Sequence, residues 1–350
     1  MPAFEKKLLA FVLKHLEWLF LAVFVLLGLA MRYPLHSLHA AVPGGQGSVF
    51  AIVTDLLAAA AGAWLIHRGE GNRWKASILF ALLFLSPSAV FSSAVYGHYE
   101  GITLGLCIGA FLLLREKKYG AAFGLYGLAC LSGFYAWLFL PAFLFCYLYE
   151  ESFTLLYFGL PAAGTLLRLF AEKAGFAPLG SYLPEGLATE KLYVNCANFW
   201  GFLRGNENLL FARYFPLGMI LLSALLLGWL ILSCRKNRKY EEDGILFQAF
   251  LGIAIAAYFL PGADAFSSLY VSVPAWILAV KKPRYLPAAL VLEYMSLLPL
   301  AGGVYGAEWM PLSLQLQSWI RAAVLLALFA FSLWRSGRGT GDGTFCEKKS

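Results

Sequence analysis

The chain is predicted to be all-α, a polytopic transmembrane helical bundle of about 10 to 12 spans. Three observations carry that prediction. First, of 350 residues 60% are hydrophobic and only 13% charged, with a mean hydropathy of +0.70. Average soluble domains carry roughly 25% charged residues, and a water-soluble fold of this length could not hide so much apolar surface. Second, the aromatic share of 16% suits rings that sit at membrane interfaces or fill gaps between helices. Third, the basic residues form short clusters between apolar runs. Membrane topology requires that arrangement, and a nucleic-acid-binding stripe does not look like it. Soluble enzyme, secreted disulfide scaffold and nucleic-acid-binding module are excluded together.

A bilayer core of roughly 30 Å needs about 20 apolar residues per straight helix, and fewer where neighbours shield a segment. In chain order the spans read Leu16–Met31, Ser48–Ile66, Ala76–Ser92, Ile102–Leu114, Gly120–Leu131 and Tyr135–Leu148. They continue with Phe153–Phe170, Phe215–Ser233, Ile245–Leu260, Ser268–Val280, Leu286–Ala301 and Gln317–Leu333. Gly133 and Pro141 interrupt the stretch from Gly120 to Leu148, which is one bent helix or two short ones. The first apolar run lacks a small-residue cleavage site and reads as a transmembrane helix, not a cleaved leader. One transmembrane domain therefore covers residues 1–335, and the Gly-rich tail 336–350 reads as disordered and cytoplasmic.

The positive-inside rule orients these spans. With both termini cytoplasmic, all of the 27 basic residues fall inside except Arg32, Arg168, Lys173, Lys191, Arg204, Arg213 and Arg321. The expected setting is a multi-pass protein of the plasma membrane. The one long loop, 171–214, is then external, and it gathers aromatic, Asn and charged residues (Leu192–Trp200, Arg204–Glu207). Long loops in compact folds are usually functional. The six cysteines show no C-x-x-C spacing and read as small buried hydrophobes.

Ionisable groups at membrane depth are costly and point to function or to interhelical hydrogen bonds. Asp55 and Glu293 lie mid-span, whereas Glu17 is near enough to a helix end to pair with Lys14. The stretch Ser92-Ser93-Ala94-Val95-Tyr96-Gly97-His98-Tyr99-Glu100 is denser. It places hydroxyls, phenols, an imidazole and a carboxylate at an external helix end, where they suit a sugar or a phosphate. The same composition also describes a polar interfacial turn.

Leu85-Ser86-Pro87-Ser88-Ala89-Val90 followed by Ser92–Glu100 resembles bacterial mannosyltransferase-like membrane proteins related to the GPI second mannosyltransferase. These have the glycosyltransferase C-type fold. That family has a Ser-Pro pair and then N-S-x-x-W-G-Q-x-D, so Tyr96, Gly97, His98 and Glu100 take the Trp, Gly, Gln and Asp places. Thr54-Asp55-Leu56-Leu57-Ala58 resembles its F-D-L-L-A helix, and Gly127-Leu128-Ala129 through Pro141 its G-x-A…P segment. Val194-Asn195-Cys196-Ala197-Asn198-Phe199-Trp200 resembles N-A-P-N-x-W, and Leu260-Pro261-Gly262 the turn before M-H-E-R-Y. The resemblance spans Val53 to about Leu278.

What the resemblance implies is transfer of a mannose-like hexose from a polyprenyl-phosphate donor to a glycan or lipid acceptor at the external face, with inversion. A carboxylate serves as general base, the lipid-linked sugar is the donor substrate, no cofactor is called for, and enzymes of this fold often need no metal. The implied catalytic set is Glu100, His98 and Asp264. The implied substrate-binding set is Tyr96, Ser93, His36, Arg32, Asn195, Asn198, Trp200 and Arg204.

The chain departs from the family pattern at three places. The segment Arg32–Gln46 contains no Asp or Glu, Ala263–Ser267 has lost the His, Glu and Arg of M-H-E-R-Y, and the Gln and Asp of W-G-Q-x-D are replaced. Either the base is rebuilt from Glu100, Asp264 or His36, or the protein keeps the fold and binds a lipid-linked glycan or a partner membrane protein without catalysis. A transporter or flippase for lipid-linked sugars is a third reading. It predicts a polar path through the bundle, for which Asp55 and Glu293 are the candidates.

Overall fold

The computed structural model describes residues 3–36, 38, 49–176, 182–203, 207–235, 240–306, 308 and 310–338. The helices in order are α1 (Ala3–His36), α2 (Val49–Glu70), α3 (Arg73–Leu85), α4 (Pro87–Ala94), α5 (Glu100–Arg115), α6 (Tyr119–Ser132) and α7 (Leu140–Glu150). There follow α8 (Gly159–Lys173), α9 (Glu185–Ala188), α10 (Glu207–Ser233), α11 (Glu242–Phe259), α12 (Leu269–Lys281), α13 (Leu286–Tyr305) and α14 (Leu314–Arg338). The described strands are two residues each, β1 (Tyr193–Val194) and β2 (Ala263–Asp264), paired in parallel with Val194 opposite Asp264.

Along its spans the bundle is apolar outside and turns its embedded charges inward, while Arg68, Lys118 and Lys282 at helix ends stay exposed. On α2 the buried residues Ala51, Thr54, Asp55, Ala58, Ala59, Gly62 and Ile66 recur at helical spacing, one stripe facing inward. The large residues Phe50, Val53, Leu57 and Trp64 of the same helix are exposed, as are Leu26 of α1, Ile220 and Ile231 of α10, and Leu326 of α14. Arg32, Asp55, Glu293 and Arg321 are all buried. A lipid solvent favours this distribution and water does not. Helix α12 is buried on nearly every side and forms the axis around which the others gather.

Among the described residues six helices are long and apolar enough to cross a membrane, or seven when α3 and α4, bent by 48° at a short break, count as one span. The twelve-span reading is corrected accordingly. Helices α5, α6, α7, α8 and α12 run only 11 to 16 residues: Gly133 caps the end of α6, Pro141 sits in the first turn of α7, and basic residues close α5 and α12. The segment 120–148 is two helices, α6 and α7, separated by a 3₁₀ turn at Phe134–Phe139. The long loop is also shorter than 171–214, since α8 runs to Lys173 and α10 starts at Glu207. At the other end α14 continues to Arg338, and 339–350 lie outside the described residues.

Close helix approach depends on glycine where backbone meets backbone. A Cβ on Gly101 would lie 2.5 Å from the Thr54 carbonyl carbon, and one on Gly105 would lie 3.2 Å from Ala58 N. These two glycines let α5 rest directly on α2. Gly164 of α8 touches Gly127 of α6 in the same way, at 2.2 Å from a virtual Cβ to Gly127 O. Small residues give membrane helices this route to dispersion contact when hydrophobic expulsion is absent.

The bend between α3 and α4 is held by a carboxylate. Glu293 of α13 accepts from Ser86 Oγ (2.7 Å), Ser88 N (2.9 Å) and Ser88 Oγ (2.7 Å) on Oε1, and from Trp276 Nε1 (3.3 Å) on Oε2. Pro87 prevents α3 from continuing, and the N–H groups exposed by the break find their acceptor one helix away. At the opposite, basic end, Asp243 pairs with Lys281 (3.0 Å) and Lys282 (2.8 Å), and Arg115 pairs with Glu150. Among the described residues four cysteines are buried, Cys234 is partly exposed, and all five are free thiols.

Candidate functional site

The site lies where α4 gives way to α5 and β2 leads into α12. Helix α4 ends at Ala94, and the chain turns through Gly97, whose φ is +66°, a conformation in which a side chain would be strained. The turn presents His98 outward and returns into α5 at Glu100. His98 stacks on Phe266, with ring centroids 3.9 Å apart and planes at 16°, and Tyr96 meets Phe266 edge-on at 5.3 Å. Tyr96 Oη donates to Leu300 O at 2.7 Å. That bond needs Gly303, because any Cβ there would fall 2.2 Å from the phenol oxygen.

Glu100 and Asp264 face one another through two phenols. Tyr270 Oη donates to Glu100 Oε2. The Tyr270 ring lies 5.5 Å from that of Tyr135, whose oxygen accepts from Asp264 N at 3.0 Å. Asp264 is committed to its own loop: Oδ1 accepts from Phe266 N at 3.0 Å and Oδ2 from Glu185 N at 3.3 Å. It therefore caps the turn at Ala265–Ser268 and fastens α9 to β2. Burial raises the Asp264 carboxyl to about 6, against the hydrogen bonds that favour its charge. Burial also raises the Glu100 carboxyl, to about 7, against the hydrogen bond from Tyr270, and the charge of Asp264 adds to the rise. Among the described residues no group of three or more His, Cys, Asp or Glu converges on a metal position.

Beneath Glu100 a cavity of about 20 Å³ is lined by Asp55, Ser92 and Glu100 among apolar residues. That is room for one water and not for a sugar. The Ser92 hydroxyl, buried and without a protein partner, is one of the polar contacts such a water would need.

The other site candidates separate into distinct roles. Arg32 is 1% exposed, and all three of its guanidinium nitrogens are engaged inside the bundle. It pairs with Asp55 at 2.6 Å, donates to Ser93 Oγ, Gly28 O and Phe84 O, and lies 4.3 Å above the Phe84 ring. Arg32 and Ser93 thus tie α1 to α2 and α4, instead of facing the outside. Asn198 and Trp200 anchor the β1 loop to the end of α11: Asn198 Nδ2 donates to Leu260 O and Trp200 Nε1 to Phe259 O. Asn195, at φ +43°, is exposed beside Tyr96. The side chain of His36 and all of Arg204 lie outside the described residues.

Tyr270, Tyr135, Phe266 and Glu185 were not singled out from the sequence. The available signal was a tyrosine inside an apolar run, since a buried phenol needs a partner for its hydroxyl.

Fold and site together define a multi-pass helical membrane protein with a carboxylate and aromatic cluster at one end of the bundle. No family model and no curated protein matches the sequence significantly.

Proposed function

We propose that this chain is an integral membrane hexosyltransferase of the glycosyltransferase C type. It moves a mannose-like sugar from a polyprenyl-phosphate donor to a glycan or lipid acceptor at the outer face of the plasma membrane. The observation that carries this reading is the environment of Glu100. One of its oxygens is held by Tyr270, and the other is left for an incoming hydroxyl. Asp264 spends both oxygens on backbone N–H groups, which leaves the base role to Glu100 and gives Asp264 the task of shaping the loop. The His98–Phe266 stack supplies a flat aromatic face of the kind sugars pack against.

In this reaction Glu100 takes the proton of the acceptor hydroxyl as the acceptor oxygen bonds to the anomeric carbon. The bond from that carbon to the phosphate oxygen breaks, and the lipid phosphate leaves with the electron pair. Attack from the face opposite the phosphate inverts the anomeric centre.

The test is transfer of radiolabel from polyprenyl-phosphate mannose to membrane acceptors by purified protein. Glu100→Gln is expected to lower transfer by about 10²- to 10⁴-fold, the range for loss of a positioned base, and Asp264→Asn to lower it less. A second reading, a lipid-linked-glycan binder without catalysis, is favoured by the absence of any carboxylate in Arg32–Gln46. Folded wild-type protein that transfers from none of several polyprenyl-linked sugars, yet binds one of them, would favour that reading instead.

A further inference from the structure

Helix α2 meets α4 and α5 around the cavity beneath Glu100, where three oxygen-bearing side chains line one void. Asp55 is 7% exposed and Ser92 3%. Glu100 lies beside them because the next residue, Gly101, rests on α2: a Cβ there would fall 2.7 Å from Asp55 N. The remaining lining residues carry no polar side-chain atom.

Two neighbouring serines at the end of α4 have different surroundings. Ser93 Oγ accepts from Arg32 Nε at 3.2 Å and donates to Ala89 O at 3.1 Å. The Ser92 carbonyl accepts from His98 N at 3.1 Å, which fastens α4 to the turn, but the Ser92 hydroxyl is buried with no hydrogen-bond partner. Neither carboxylate therefore reaches it. The three groups surround the void without closing on one another, and an orphaned buried hydroxyl is costly. A body the size of one water is needed between them.

Charge decides between a water and an ion. Asp55 has Arg32 at 2.6 Å. Glu100 forms no ion pair among the described residues. Its neighbours are the Tyr270 phenol, which donates to Oε2, and Asp264, a further negative charge. Two carboxylates at the cavity are thus answered by one guanidinium, and an uncompensated charge inside the bundle is costly. One positive charge completes the balance, which a water does not supply and a divalent ion overshoots. Ca²⁺ also takes about six to eight oxygens and Mg²⁺ keeps several waters, for which there is no room. Carboxylate and hydroxyl oxygens are hard ligands, without the sulfur or nitrogen that suits most transition metals.

We propose that a monovalent alkali cation occupies this cavity, coordinated by Asp55, Ser92 Oγ and Glu100. Asp55 binds Arg32 through Oδ2, so Oδ1 is the oxygen for the ion, and at Glu100 it is Oε1. The way in is short, since Glu100 opens α5 two residues after the exposed His98. A carboxylate oxygen has two lone-pair positions, so the ion leaves a place at Glu100 for the hydroxyl of the reaction proposed above. The ion site does not depend on that reaction. It rests on the cavity, the Ser92 hydroxyl and the charge balance.

Full-length protein in nanodiscs is prepared in N-methylglucamine chloride and titrated, at constant ionic strength and pH, with NaCl, KCl or choline chloride. Thermal unfolding and binding of radiolabelled Na⁺ or Rb⁺ are followed. An alkali ion is expected to raise the unfolding temperature saturably, and choline, too large for the cavity, is not. The sodium and potassium arms say which ion the site takes. Ser92→Ala is expected to weaken the ion by about tenfold, and without the ion to unfold no lower than wild type, because the hydroxyl it removes has no partner. Glu100→Gln is expected to lose the salt response.

Wild-type protein with one unfolding temperature in all three salts and no bound radiolabel means that the cavity holds water alone, and overturns the inference. A Ser92→Ala or Glu100→Gln protein that binds the ion as wild type does also overturns it. If Ser92→Ala does not fold, Glu100→Gln decides alone: a retained salt response rejects the site. Sugar transfer enters none of these readouts, so failure of this inference and failure of the enzymatic reading are distinguishable.

Discussion

Arg32 of α1 and Asp55 of α2 form an ion pair of 2.6 Å with 1% and 7% of their side chains exposed. The pair is buried in the bundle, so removing either partner leaves the other charge with little hydration. Breaking a buried pair from one side costs about 3 to 5 kcal/mol, whereas replacing both partners by apolar residues is often neutral. Asp55→Asn is expected to lower the thermal unfolding temperature in detergent sharply, and Arg32→Met combined with Asp55→Leu to recover most of the loss. Equal unfolding temperatures for Asp55→Asn and wild type would remove the pair from the account of stability.

Asp264 gives a pH dependence of unusual sign. Its carboxyl is raised by burial from 3.8 to about 6, so the folded state holds the proton more tightly than the unfolded chain. Below about pH 4 both states are protonated and the group contributes nothing. As pH rises from 4 to 6 the unfolded chain ionises first, and the folded state is penalised by up to about 3 kcal/mol. Asp264→Asn keeps an acceptor for Phe266 N without the charge. The difference in unfolding temperature, Asn variant minus wild type, is therefore expected to fall between pH 7 and pH 4.5. A difference that is flat or rises on acidification contradicts the assignment.

The glycine contacts between α5 and α2 should rank by distance. A Cβ at Gly101 would meet main-chain atoms at 2.5 Å and one at Gly105 at 3.2 Å, so Gly101→Ala must move a helix while Gly105→Ala asks for a few tenths of an ångström. Gly101→Ala is expected to destabilise by about 2 kcal/mol or more, as overpacking does, and Gly105→Ala by less. Because Gly101 follows Glu100, the first variant should also disturb the Tyr270–Glu100 bond. Chemical denaturation in mixed micelles would show the order, and a reversed order would mean that α5 does not rest on α2 as described.

Glu293 organises the break after α3. Glu293→Ala leaves two serine hydroxyls, one N–H and the Trp276 indole without their acceptor, and unsatisfied buried donors cost about 1 to 3 kcal/mol each. Glu293→Gln keeps one oxygen for the serines and loses mainly the bond to Trp276. The expected stability order is wild type, Gln, Ala, and Trp276 emission should change in both variants. An Ala variant as stable as wild type would show that the bend is held by Pro87 alone.

Much of the architecture was readable from residue spacing. The inward stripe of α2, the stop at Gly133 and the embedded charges at 55 and 293 all follow from helical periodicity and the cost of burying polar groups. The span count did not follow, because hydropathy cannot tell a short apolar helix shielded by neighbours from one that crosses alone. The cluster at Tyr96, His98 and Glu100 was visible as dense chemistry in nine residues, yet Tyr270 and Tyr135, which connect it to Asp264, read as ordinary aromatics of two separate spans. Arg32 read as an outward cation because its position at the end of an apolar run says nothing of the direction its side chain takes.

By itself the sequence determined that the chain is a bundle of apolar helices and that its few embedded polar groups require partners. Composition and period set those properties one residue at a time. Only the tertiary structure decided the partners: Asp55 with Arg32, Glu100 with Tyr270, Glu293 with the serines after α3, and Arg321 with the Ala197 carbonyl. Those choices depend on how closely glycines let helices approach and on which way each side chain leaves its helix. Both are properties of pairs of segments far apart in the chain.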